Sequence, residues 1–391
     1  MRRLILFFLF FVLCWTTSPQ VLAGSQDPQS LSGSSADIAN QVDLSQVKGF
    51  LEKIDADVQS SLPGFSLARI FEDLKQGKLD LSPENIGKSL LKLLGNEILR
   101  NAPLIGKLLV LAVLCAILQQ LQHSFGGSVG KMSQALTYLV LLGIALASFQ
   151  IAVDVAKGAI EQMVGFMQTL FPVMLTLLLA MGNLTSAALF KPIVMGSLTF
   201  LATLIKTIIL PIFFLSAVLK LFNNISEQFK LTKLTGLFEF LGKTSIGIVL
   251  TVFIGIMAIQ GVTGGVADGV VLRTAKYSVD LIPVVGKAFK DAVELVVTSG
   301  LMVKNALGLV AMIAVAIICL GPIVKIIAMM FAFRVSAALI EPLGQKALAD
   351  SLQDMAKSLI YIFGAVASVA VMFFITIAVV VGSGNLSIML R

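Results

Sequence analysis

Two lysines stand inside long apolar runs, Lys206 within Ile193–Leu221 and Lys325 within Leu307–Phe333, each close to a helix breaker: Pro211 in the first run, Gly321-Pro322 in the second. An ionisable group inside hydrocarbon is costly, so it faces a bundle interior or a water-filled cavity, where it can steer or relay ions. A long Lys side chain on a kinked helix can also snorkel to the interface. Both readings are open on sequence alone. Asp154, Glu161 and Asp268 sit just outside apolar runs, where they can join a proton or cation relay or simply be solvated. No pairing of carboxylates is specific enough to indicate acid–base catalysis.

Other chemistries fail on residue types and spacing. His123 is the single His, and of the three Cys, Cys115 and Cys319 lie deep in apolar runs while Cys14 is near the N-terminus. This excludes a His-bearing metal cluster, a Ser/His/Asp triad and a disulfide framework. Gly242-Lys243-Thr244 looks like the end of a phosphate loop, but position 237, where the earlier Gly is required, is Leu. Gly126-Gly127-Ser128-Val129-Gly130-Lys131 fails the same test. The sequence therefore predicts no enzyme, no catalytic residue, no cofactor and no metal.

The elements that must position Lys206 and Lys325 are membrane helices. Of 391 residues, 57% are hydrophobic and 13% charged, with mean hydropathy +0.95. A soluble chain near half apolar and a quarter charged carries no such surplus, so the excess faces a lipid bilayer. Charge divides along the chain: residues 24–103 hold 8 Lys/Arg against 11 Asp/Glu, net −3, and residues 104–391 hold 19 against 11, net +8. The lysines are scattered among apolar runs without interleaved aromatics, which argues against nucleic acid as a partner.

Residues 1–23 read as a cleavable signal peptide: Arg2-Arg3, an apolar stretch from Leu4 to Trp15, and Val21-Leu22-Ala23 before Gly24. A polar, disordered leader follows over 24–42. Residues 43–103 then form an extracytoplasmic amphipathic helical region, with Asp43 as a cap for the helix ending at Leu62 and Ser82-Pro83 opening another. From 104 to 391 the chain is polytopic. Apolar content and length place spans near 104–121, 135–153, 163–181, 193–221, 245–262, 307–333 and 360–381. The fold class is thus all-α, with six to seven transmembrane helices.

Pro211 and Pro322 make 193–221 and 307–333 candidate broken or re-entrant segments, because proline removes a backbone donor that lipid cannot replace. Phe171-Pro172 and Ile282-Pro283 are 111 residues apart, as are Pro211 and Pro322, so an internal repeat of the kind seen in transporters can be proposed. With the N-terminal region outside, Lys131, Lys191 and the loops carrying Lys220–Lys243 and Arg334–Lys357 face the cytoplasm, provided 193–221 enters and returns. The mixed-charge segment 268–304 reads as an interfacial amphipathic helix on the outer side.

Val266-Ala267-Asp268-Gly269-Val270-Val271-Leu272-Arg273-Thr274-Ala275-Lys276, with Leu281-Ile282-Pro283-Val284-Val285-Gly286 after it, resembles the stage III sporulation protein AE family of endospore-forming bacteria. So do Ala116–Gln122, Leu215–Leu219, Ile259-Gln260-Gly261, Glu341-Pro342-Leu343-Gly344 and Gly384-Asn385-Leu386. The likeness runs from signal peptide to C-terminus and is weakest over Asp43–Leu62. It singles out Asp268, Gly269, Arg273, Lys276, Pro283 and Gly286 as a family motif, and it carries over no catalytic residue. The resemblance implies a multi-pass protein of the mother-cell (outer forespore) membrane, in a channel-like or secretion-like complex needed for late forespore gene expression. It implies as partners the other membrane proteins of the same operon, their cytoplasmic ATPase, a forespore membrane protein and a YidC/Oxa1-type insertase. The composite expectation is a permease-like core of that complex. The rival readings are a structural scaffold that conducts nothing and an independent ion-coupled transporter.

Overall fold

The computed structural model describes residues 83–125, 128–225, 231–280 and 285–389. The expected signal peptide, leader and Asp43–Leu62 helix, with Ser82 and Pro283, lie outside them. Every described element is helical, as the apolar periodicity predicts. Among the described residues, five helices are long and apolar enough to cross a membrane, or six if the bent pair Leu91–Arg100 and Ala102–Leu118 counts as one span.

Pro83 opens α1 (Pro83–Arg100), where its missing donor costs nothing. Asn101 ends it: its side-chain amide donates to the Glu97 carbonyl at 2.8 Å, and its backbone N–H donates to Glu97 and Ile98 at 3.2 and 3.1 Å. The chain then turns by 41° into α2 (Ala102–Phe125).

The expected spans 135–153 and 163–181 are one helix, α3 (Ser128–Ala180). The polar interlude between them, Asp154 to Gln162, is built of Val, Ala, Lys, Ile, Glu and Gln with a single Gly, and so holds no residue that stops a helix. What does stop it is Gly182, at φ 79°: its N–H donates to Leu179 and that of Asn183 to Leu178, which closes the helix end with left-handed backbone suited to glycine.

Neither proline-bearing run breaks into a loop. α4 (Leu184–Leu189), α5 (Gly196–Leu204) and α6 (Leu210–Ile225) are joined by π-helical segments Phe190–Met195 and Ile205–Ile209 into one path. A proline ring collides with the carbonyl four residues back in an α-helix, and the wider π turn relieves this. Pro192 lies in the first segment, and Pro211 closely follows the second, where the Leu210 N–H reaches Ile205 O. Pro322 lies inside α8 (Val285–Ile340), which stays α-helical throughout. The equal spacing of Pro211 and Pro322 is therefore not matched by equal local structure.

α7 (Thr232–Asp280) precedes α8, and a 3-10 turn, Glu341–Leu343, with Gly344 at φ 77°, leads into α9 (Lys346–Met389). The Lys220–Lys243 and Arg334–Lys357 stretches, expected as loops, are mostly helix. The expected interfacial segment 268–304 divides between the end of α7 and the start of α8.

α9 is the central helix. Leu352, Met355, Leu359, Ile362, Val366, Val369 and Phe373 are buried at three- and four-residue spacing, and α9 packs against α8 along most of its length and against α7, α3 and α6. Helices alternate in direction, so the bundle has two ends. At one, a β-carbon on Gly300 would lie 2.9 Å from Met181, one on Gly261 3.5 Å from Val379, and one on Gly308 against Val381. At the other, α6, the start of α7 and the first half of α9 converge. Lys191 falls near the Gly182 end, opposite Lys220, because the composite helix crosses once instead of returning.

Candidate functional site

At the second end the α6–α7 hairpin is aligned by the Ser216 hydroxyl, which donates to the Thr235 carbonyl at 3.4 Å. Gly242 leaves room for the Phe213 ring, which its missing β-carbon would otherwise meet. Phe213 in turn stacks on Tyr361 of α9, with centroids 5.3 Å apart and planes 25° off parallel.

This frame holds three charges. Glu239 of α7 is 15% exposed, and both its oxygens are engaged. The Lys220 ammonium pairs with Oε1, while Oε2 accepts the Tyr361 hydroxyl at 3.3 Å and meets Lys243 Nζ at 3.4 Å. Lys243 also lies over the Tyr361 ring, 4.3 Å from its centroid, and Lys220 lies 6.0 Å from it. Ring quadrupole and carboxylate thus offset two ammonium groups, with a residual formal charge of one cation. No base faces a nucleophile in this arrangement. It is an electrostatic tie between three helices, with Lys243 as its exposed edge.

The sequence-predicted site residues do not gather in one place. Lys206, in the second π segment, pairs with Glu161 of α3 at 2.9 Å. Glu161 and Asp154, expected outside spans, are midway along α3, where Asp154 accepts from Gln150 at 3.0 Å and lies 3.7 Å from Lys157. Lys325, near Gly321 and Pro322 on α8, makes no ion pair among the described residues. Of the family motif, Asp268, Gly269, Arg273 and Lys276 are on the last turns of α7, Gly286 is in the first turn of α8, and Pro283 is outside the described residues.

Sequence reasoning missed Glu239, Tyr361 and Lys304. Glu239 precedes Lys243 by four residues within an apolar run, which was the available signal. Lys304 is fully buried on α8 between Gly300 and Gly308, at i, i+4 and i+8, and among the described residues its ammonium has no hydrogen-bond partner. At the same end Gln260 Oε1 and Asn183 Oδ1 are also buried without partners among the described residues. Cys115 and Cys319 are buried free thiols.

Comparison with known proteins agrees with the motif. Residues 65–384 match the family model described as Stage III sporulation protein AE. A curated relative, Stage III sporulation protein AE of Bacillus subtilis (strain 168), is 34% identical over 355 residues, covering 90% of this chain and 89% of the relative. No solved structure matches. With a family model over most of its length and a relative of that identity, the chain belongs to the stage III sporulation protein AE family.

Proposed function

We propose that this chain is the permease-like membrane core of a channel or secretion-like complex linking mother cell and forespore. The observation that carries the reading is the Lys220–Glu239–Lys243–Tyr361 network, set among three helices of an apolar bundle. Charges inside such bundles are expensive and mark pathways and gates. Buried Lys304, Gln260 and Asn183 at the opposite end, without hydrogen-bond partners for these side-chain atoms among the described residues, supply a second polar station.

In this reading the bundle sits in the mother-cell (outer forespore) membrane with its N-terminal region extracytoplasmic. Alternation of the helices then puts the α6–α7 connection and the Gly344 turn on the cytoplasmic side, within reach of the ATPase. The Gly182 turn, the end of α7 and the start of α8 fall on the side of the intermembrane space, toward the operon's other membrane proteins and the forespore partner. An insertase of YidC/Oxa1 type assembles the chain.

The test is a pair of variants in sporulating cells, Glu239→Gln and Lys220→Met, with assembly of the complex followed by co-purification. A conduit assembles yet loses late forespore reporter expression. Assembly with normal expression in both variants overturns the reading in favour of a scaffold. Solute movement by the purified chain alone, driven by an ion gradient in liposomes, favours an independent transporter.

A further inference from the structure

The Lys206–Glu161 pair is well formed, yet it sits on the outside of the bundle: the Glu161 side chain is 62% exposed, and that of Asp154 58%. Asp154, Lys157 and Glu161 follow at i, i+3 and i+7, on one face of α3. With Lys206 they make two acids and two bases, halfway along helices that are apolar from Leu139 to Ala180 and from Leu184 to Asn223.

Helices of this length run roughly 60 Å along their axis, about twice the thickness of bilayer hydrocarbon. With the bilayer centred on the charged belt, the exposed charges meet lipid, which does not solvate them. With the bilayer ending at the belt, half the apolar length stands outside hydrocarbon. Either placement calls for protein over this face.

We propose that the protein is a second copy of this chain, related by a two-fold axis parallel to the helices. The charge arrangement supports this occupant. Glu161 and Lys206 lie at one height on neighbouring helices, so a two-fold axis between them sets each Glu161 opposite the other copy's Lys206 and each Lys206 opposite its Glu161. An isologous interface needs this self-complementarity. Close approach is also open: Gly143 and Gly158 lie on the same face of α3, and a β-carbon at either meets nothing within 4 Å. Small residues beside polar ones are what membrane helices use to pack.

The experiment uses the full chain in native membrane vesicles and in detergent. Oxidation of Gly158→Cys yields a disulfide-linked pair of twice the chain mass, which the parental chain does not form. Gly158→Leu weakens self-association at least tenfold, and at concentrations where both chains are monomeric its melting temperature matches the parental one, because a β-carbon there meets nothing within one copy. Glu161→Lys abolishes association, and adding Lys206→Glu restores it. A parental chain that stays monomeric in membranes overturns the proposal. So does a folded Gly158→Cys chain that crosslinks to nothing or only to a different protein, which assigns the face to a heterologous partner.

Discussion

The ammonium of Lys243 and the ring of Tyr361 are stacked at 4.3 Å, and the hydroxyl of that ring donates to the carboxylate that Lys243 also meets, Glu239. One carboxylate thus organises cation and phenol together, and with Lys220 it ties α6, α7 and α9. Removing the carboxylate leaves two ammonium groups with only a ring face between them.

Glu239→Leu is therefore expected to destabilise the bundle by on the order of 3 kcal/mol, since it strands largely buried Lys220. Lys220→Met combined with Glu239→Leu recovers most of the loss, because an apolar pair replaces the ion pair. Thermal unfolding of the three variants in one detergent checks both outcomes.

Tyr361 has two separable roles. Tyr361→Phe keeps the stack on Phe213 and the face under Lys243 and loses only the hydrogen bond to Glu239, at a cost of about 1 kcal/mol. Tyr361→Ala empties the site and costs roughly 3 kcal/mol or more. A melting series that ranks Phe near the parent and Ala far below it supports this division; equal losses refute it.

At the opposite end α8 and α9 meet at Gly308, where an added β-carbon strikes Val381. Gly308→Ala is expected to cost ~1–3 kcal/mol by overpacking. Val381→Ala in the same chain relieves the collision, so a double-mutant cycle gives a favourable coupling between the two changes.

Gly182 closes α3 at φ 79° and satisfies its last carbonyls. Gly182→Ala places a side chain in left-handed backbone and costs about 1 kcal/mol, whereas Gly143→Ala on the open face of α3 leaves stability unchanged or slightly raised. Hydrogen exchange at Leu178–Asn183 reports the local loosening in the first variant only.

Much of the helical body was legible in the apolar pattern. Pro83 begins α1 where a first-position proline belongs, and the apolar runs from residue 104 onward fall on helices. What the pattern could not supply was which polar interludes are loops. Asp154–Gln162 continues a helix because its residues favour one, and the same holds for Lys346–Ser358, read as connection but folded as the first turns of α9. Lys206 was visible as a charge among apolar residues, but its partner Glu161 is 45 residues away and reachable only through packing. Glu239 and Tyr361 are 122 residues apart, beyond any local spacing rule.

The π segment Ile205–Ile209 has a consequence for chain length. Each extra residue it accommodates advances the downstream helix by about 100° about its axis. Phe213 and Lys220 face Tyr361 and Glu239 only at the present phase, so deleting one residue between Leu204 and Leu210 swings both away from α9 and α7. The helix that carries Lys206 is thus keyed to its residue count. A single-codon deletion there uncouples the two ends of the bundle more thoroughly than most substitutions do.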